Sequence, residues 1–115
     1  MSALSDVDSF VQGNYDEAEV LLLRSLKIFE EVFGYDHPNV ASALNNHANV
    51  LVYQVKFRHL QSDERPQGKY DEAKSAYMRS LEIREQMLGN DHPDVAAVLI
   101  NIASLLEDQV GISIF

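Results

Sequence analysis

Apolar and small side chains recur every three or four residues along four stretches of the chain, the spacing typical of amphipathic helices. The expected helices cover about residues 14–33, 38–54, 69–88 and 93–108. The stripe of the first is Tyr15, Ala18, Leu21, Leu22, Ser25, Phe29 and Val32, and that of the third is Tyr70, Ala73, Ala76, Tyr77, Ser80, Ile83 and Met87. The stripe of the second is Val40, Leu44, His47, Ala48 and Leu51, and that of the fourth is Val95, Leu99, Ile102, Ala103 and Leu106. No segment has the alternation of a strand, so the pattern predicts an all-α fold.

The residues between these stretches are typical of helix ends. Gly34 and Gly89 are expected to end the first and third helices in the left-handed conformation. The Asp-His-Pro segments that follow predict new helices, with Asp36 and Asp91 as N-caps and a proline in the first turn. Each helix pair therefore has a short turn, and its two helices should run antiparallel.

The chain contains an internal repeat. Residues 13–54 and 68–109 align without gaps at an offset of 55, and 21 of the 42 aligned residues are identical. The helix pair therefore occurs twice, and the chain is predicted to be a solenoid fragment, an α-α superhelix of about two helix-pair repeats. Stacked repeats usually number three or more, so two should be marginal alone.

Both copies contain Gly-x-Tyr-Asp-Glu-Ala, then Gly-x-Asp-His-Pro, then Leu-x-Asn-x-Ala. This series resembles the long tetratricopeptide (TPR) repeat of kinesin light chains. The resemblance implies a protein-binding solenoid in which residues 38–54 and 93–108 form inner helices lining a concave groove. Residues 14–33 and 69–88 would be outer helices, and residues 1–12 would hold only a stub of a truncated inner helix.

Residues 55–67 interrupt the repeat, and residues 110–115 form a non-repeat tail. Two structures are open for this irregular insertion: an extension of the inner helix to about Leu60 followed by a loop, or a disordered bulge. The first is favoured. Both segments follow a glutamine and begin with valine, so translated intron sequence is a further hypothesis for both, beside a natural insertion and terminus.

Polar residues lie beside the packed stripes of the two inner helices. They are Ser42, Asn45, Asn46, Asn49, Asn101 and Ser104, the candidate peptide-groove residues. An asparagine amide both donates and accepts, so it can pair with a peptide backbone of any sequence. The resemblance implies that Asn46 and Asn101 contact bound peptide. The alternative is that these amides only bond neighbouring helices.

Composition narrows the classes of partner. A net charge of −9 disfavours nucleic acid and anionic membrane surfaces, whose recognition needs basic side chains. The acidic excess either attracts a basic partner segment or only maintains solubility. The chain has no cysteine, no secretory signal and no apolar stretch long enough to span a membrane, which makes the cytoplasm the expected location.

No catalytic, cofactor or metal site is expected. His37 and His92 lie in equivalent turns, and no histidine pair has the His-x-x-x-His spacing of two ligands on one helix face. His47 is either a pH-sensitive groove residue or a tolerated, partly buried histidine. Asp16–Glu17 and Asp71–Glu72 are expected in first helical turns, where the helix dipole favours acids.

Three functions follow as hypotheses. The first is a non-catalytic scaffold or adaptor that binds protein or peptide segments, with kinesin light chain-like cargo binding as one instance. The second is the regulatory sensor arm of a larger nucleotide-dependent signalling protein. The third, an enzyme, lacks a motif in the sequence. The chain could also self-associate through exposed repeat ends.

Overall fold

The structure, a computed structural model, describes residues 3–62 and 66–114. These residues form four helices: α1 (Ala3–Phe33), α2 (Pro38–Ser62), α3 (Gln67–Leu88) and α4 (Pro93–Ile114). No strand occurs in this part of the chain. The predicted all-α fold of about two helix pairs is therefore confirmed.

Helix α2 is the centre of the molecule. It packs against both α1 and α3, and it touches α4 more lightly. Its predicted stripe is buried throughout: Val40, Leu44, His47, Ala48 and Leu51. The hydrophobic core is completed by side chains of α3 and by Val98 and Leu105 of α4. Most of the core therefore lies around one helix.

Small residues bring α2 and α3 close together. Ala41 of α2 and Ala73 of α3 are fully buried, and Ser80 is buried beside them. The Ser80 hydroxyl donates a 2.8 Å hydrogen bond to the backbone carbonyl of Ala41. A larger side chain at these positions would separate the helices and break this bond, so the predicted small positions of α3 serve close packing.

The two predicted glycine stops have positive φ, 90° at Gly34 and 92° at Gly89. The predicted left-handed helical conformation was nevertheless wrong for Gly89, because its ψ is 156°. That extended, positive-φ region is essentially restricted to glycine. The amide of Gly89 still donates to the carbonyl of Glu85 at 3.1 Å, which closes the last turn of α3.

Histidines, and not the predicted aspartates, cap α2 and α4. The Nδ1 atom of His37 accepts a 3.0 Å hydrogen bond from the amide of Asn39, and Nδ1 of His92 accepts one of 3.0 Å from Asp94. Each histidine immediately precedes the first helical residue, so its ring reaches an amide that has no partner within the helix. Asp36 and Asp91 are exposed and form no such bond, so their assignment as N-caps was wrong.

The helix bounds differ from those expected at two places. Helix α1 is continuous from Ala3, so residues 3–12 are not a separate inner-helix stub. A single glycine, Gly13, does not end the helix, because helical hydrogen bonds continue before and after it. Helix α2 continues past Gln54 to Ser62, as in the favoured alternative for the insertion. Val55 is fully buried there, and Phe57 packs edge-on against Tyr15 at 6.2 Å between ring centroids. Residues 1–2, 63–65 and 115 of the predicted stub, insertion and tail lie outside the described residues.

These bounds change the role of the paired acids. Asp16–Glu17 lie far inside α1, and Asp71–Glu72 follow the first turn of α3, so the expected first-turn placement was wrong. Asp16 instead accepts hydrogen bonds from Gln12 at 3.0 Å and from Gln54 of α2 at 3.1 Å. Its carboxylate therefore links two helices.

Several residues of the predicted stripes are exposed. They are Leu21 and Val32 in α1, Met87 in α3, and Leu99, Ala103 and Leu106 in α4. In the described residues, α1 packs mainly against α2 and is joined to α3 by the Arg79–Glu30 ion pair, and α4 packs mainly against α3. The apolar side chains of α1 and α4 therefore occupy a wider face of each helix than the neighbouring helices cover.

Candidate functional site

A cleft of about 180 Å³ lies between α2 and α4, the two helices predicted to be inner, and Tyr77 of α3 also lines it. Its lining consists of Asn49, Val52, Tyr53, Lys56, Tyr77, Asn101, Ser104, Leu105 and Asp108. The α2 and α4 members are spaced three or four residues apart, which places them on one face of each helix. Val52 and Leu105 are buried, and the remaining lining residues are polar or aromatic. The cleft therefore has an apolar base and a polar rim.

One hydrogen bond crosses the cleft between α2 and α4, the second helices of the two repeats. The Asn101 side-chain amide of α4 donates a 3.0 Å hydrogen bond to Oδ1 of Asn45 in α2. An amide can make more than one such bond, so Oδ1 of Asn101 and the Nδ2 group of Asn45 keep capacity for another partner. The bond joins the two helices at this end of the cleft.

An ion pair joins the same helices further along. Nζ of Lys56 lies 2.9 Å from Oδ2 of Asp108. Both side chains are partly exposed, so the pair contributes little to stability but can exchange partners. Lys56 belongs to the irregular insertion, and it reaches the cleft because α2 extends helically beyond Gln54.

Tyr77 of α3 connects the base of the cleft to α2, where its hydroxyl donates to Oδ1 of Asn49. Burial raises the pKa of Tyr77 to about 12, and the nearby Tyr53 and Asp108 add to this rise. A phenol with so high a pKa keeps its proton at neutral pH. Tyr77 therefore acts as a hydrogen-bond donor and not as a base or nucleophile.

A family model for the tetratricopeptide repeat matches residues 4–58 and 62–110, which together cover most of the chain. The chain belongs to the tetratricopeptide repeat family. A comparison with curated proteins finds no match. TPRs are generally protein–protein interaction modules and typically not catalytic, and none of the helices described here is long and apolar enough to cross a membrane.

The structure places the candidate groove residues of this TPR protein in three groups. Asn49, Asn101 and Ser104 line the cleft, and Asn45 borders it through its bond to Asn101. Ser42 lies beyond the cleft, where its hydroxyl accepts a 3.3 Å bond from Arg84. Asn46 is exposed and forms no side-chain hydrogen bond with the described residues. Contact with a peptide remains a prediction for all six.

Sequence reasoning missed four polar or aromatic lining residues: Tyr53, Lys56, Tyr77 and Asp108. Tyr53 lies one turn beyond Asn49, and Asp108 lies one turn beyond Ser104, so continuing the polar faces of both helices would have found them. Tyr77 was assigned to the packed stripe of the outer helix, and it is indeed buried. Nothing in the sequence distinguishes the hydroxyl that reaches the cleft from one that only packs.

Proposed function

We propose that this TPR protein is a non-catalytic interaction module that holds a peptide segment of a partner protein in the cleft between α2 and α4. The observation that carries the proposal is the polar rim contributed by two equivalent inner helices over the apolar base of Val52 and Leu105. An extended peptide needs partners for its backbone groups and a pocket for an apolar side chain.

The amides at the cleft fit the first requirement. Asn101 can accept a backbone N–H through Oδ1, while Asn45 can donate to a backbone carbonyl through Nδ2, and their mutual bond remains intact. Both groups are fixed by that bond before a peptide arrives, which lowers the entropy lost on binding. Recognition through the backbone would tolerate many peptide sequences.

Charge favours a basic segment in the partner. The chain carries a net charge of −9, and Asp108 at the cleft is paired with the partly exposed Lys56. A lysine or arginine of the peptide could replace Lys56 at this carboxylate. The affinity should then fall as the salt concentration rises, because ions screen exposed charges.

The test is selection of peptides from a displayed random library on the wild-type chain, followed by affinity measurements with the selected peptides. Asn101→Ala should weaken binding about tenfold, the loss of one good hydrogen bond, while leaving helicity unchanged. Asn46→Ala should weaken it too if the peptide extends beyond the cleft. Asn90→Ala, in the exposed turn between α3 and α4, is the matched control.

Two results would contradict the proposal. One is a selected peptide whose affinity for Asn101→Ala equals its affinity for the wild type. The other is an equal loss of helicity and binding in that variant, which would assign Asn101 the structural role of holding α2 and α4 together.

More specifically, we propose that the chain acts as a cytoplasmic adaptor, with repeats similar to the cargo-binding repeats of kinesin light chains. The support is the Gly-x-Asp-His-Pro and Leu-x-Asn-x-Ala motifs of both copies. The alternative is a regulatory sensor arm of a nucleotide-dependent signalling protein. Heptad repeats in a longer gene product would favour the adaptor, and a phosphate-binding Gly-rich motif would favour the sensor arm.

We also propose self-association through the ends of the helix array. Leu99 and Leu106 of α4 are exposed, although the equivalent Leu44 and Leu51 of α2 are covered in the folded chain. The exposed face of α4 thus offers the α1 of a second copy a surface like the one α2 offers α3. Sedimentation should show concentration-dependent association that Leu99→Glu reduces, and a chain that is monomeric at all concentrations would rule this out.

A further inference from the structure

Three side chains with metal-binding groups meet on the opposite side of α2 from the cleft's polar rim, where α1 and α3 flank it. They are Glu19 of α1, His47 of α2 and Glu72 of α3, and their ligand atoms all lie within 4.8 Å of one another. Nε2 of His47 lies 3.0 Å from Oε2 of Glu19. His47 is only 4% exposed, while Glu72 lies at the surface.

The donor set matches the preferences of zinc. Imidazole nitrogen and carboxylate oxygen bind Zn²⁺ at about 2.0–2.2 Å, which places tetrahedral ligand atoms about 3.3 Å apart. The His47–Glu19 separation of 3.0 Å is close to this value, and Glu72, whose carboxylate lies within 4.8 Å of both and is exposed, can move inwards. A water molecule would complete the four ligands.

Electrostatics also favours a cation between these groups. Two carboxylates of an acidic protein approach each other beside a buried imidazole, and like charges this close repel each other. A divalent ion would neutralise both. The simpler arrangement, an ion pair between Glu19 and protonated His47, compensates only one of them.

The trio is not a property of the repeat in general, since it combines two residues of the first helix pair with Glu72 of the second. At an offset of 55, Glu19 corresponds to Lys74 and His47 to Ile102. The second pair therefore replaces one ligand with a cation and another with an apolar side chain. The same comparison supplies variants that the fold already accepts.

From these observations we propose that Glu19, His47 and Glu72 form a zinc-binding site that fastens α1 and α3 to α2. Each ligand comes from a different helix, so the site has no local spacing in the sequence. This is why the absence of a His-x-x-x-His motif did not reveal it. The site is independent of peptide binding in the cleft.

The experiment is titration of the full chain with Zn²⁺ at about pH 7.5, where an imidazole is mostly neutral, by calorimetry and by thermal unfolding. We expect one saturable ion per chain and a rise in unfolding temperature that a chelator reverses. His47→Ile, which copies the second repeat, should fold and lose binding at least tenfold. Glu19→Gln and Glu72→Gln should each weaken binding about tenfold, whereas Glu17→Gln should not.

Several outcomes would overturn the proposal. They are the absence of saturable binding, binding that His47→Ile retains, and equal weakening by Glu17→Gln. The first would leave the trio as a bare ion pair with an adjacent acid. The other two would mean that zinc binds other histidines or the acidic surface in general.

Discussion

The inner helices α2 and α4 share a repeat pattern but differ in burial. Leu44 and Leu51 of α2 are 5% and 0% exposed, whereas Leu99 and Leu106, the same residue type at the equivalent positions of α4, are 50% and 45% exposed. The difference arises because both α1 and α3 pack against α2, while α4 is packed mainly against α3. Equivalent side chains in a repeat therefore differ in what they contribute, because their neighbours differ.

The largest expected change in stability comes from substitutions at equivalent leucines of α2 and α4. Leu51→Ala removes a fully buried side chain and leaves a cavity, so we expect it to lower the free energy of unfolding by about 2–5 kcal/mol. Leu106→Ala should lower it by less than about 1 kcal/mol, because nearly half of that side chain is exposed. Urea unfolding followed by circular dichroism measures both.

Equal losses in the two variants would show that the face of α4 is covered in solution. In that case the measurement should be repeated at several protein concentrations. A concentration-dependent loss for Leu106→Ala would point to self-association, and a concentration-independent one would contradict the comparison between α2 and α4.

A smaller difference in stability should distinguish substitutions in α1 from substitutions in α3. The buried Ser80 hydroxyl donates to Ala41 across the α2–α3 interface, whereas that of Ser25, the equivalent residue, donates at 3.0 Å to Leu21 in its own helix. Ser80→Ala should lower the free energy of unfolding by about 1 kcal/mol. Ser25→Ala should leave it nearly unchanged or raise it slightly, because alanine has the higher helix propensity.

Thermal or urea unfolding of the two serine variants checks this prediction. A loss in Ser25→Ala as large as that in Ser80→Ala would mean that α1 is as tightly held as α3. The interhelix hydrogen bond would then not explain the difference between them.

The helices were predictable because the repeat provides the same evidence twice. Periodicity, the two glycines and the two prolines placed all four helices, and the glycines indeed have positive φ. The ends were less predictable. Aspartate is the commoner N-cap, but the His37 ring reaches the free amide of Asn39 instead, and that choice depends on the geometry of the turn.

The burial of individual residues was predictable only where a helix packs closely against two neighbours. The stripe of α2 was predicted in full, whereas Leu21 of α1 and Leu99 of α4 are exposed. A sequence period shows which side chains share a face, but it does not show whether another helix covers that face. That information lies in the packing.

The cleft was predicted in part for a similar reason. Asn49, Asn101 and Ser104 follow from the polar face beside each stripe. Lys56 did not follow, because it lies beyond the repeat boundary, and its position depends on α2 remaining helical to Ser62. The zinc-site trio could not be predicted at all, since its members lie on three helices.

The smallest expected effect concerns Tyr77, which α1 replaces with Leu22 at the equivalent position. Burial raises the pKa of Tyr77 from 10.0 in the unfolded chain to about 12, so the unfolded state loses the phenol proton first as the pH rises. The contribution to stability is therefore complete below pH 10 and decreases between pH 10 and about 12. Tyrosinate absorbance should show a late-titrating phenol that is lost in Tyr77→Phe, and urea unfolding across this pH range should show a shallower decrease in Tyr77→Phe than in the wild type. Tyr35→Phe, which removes an exposed phenol, serves as the control and should leave both measurements of the late step unchanged.

If the late step persisted in Tyr77→Phe, another tyrosine would hold the raised pKa, and the phenol of α3 would not be the feature that distinguishes it from α1.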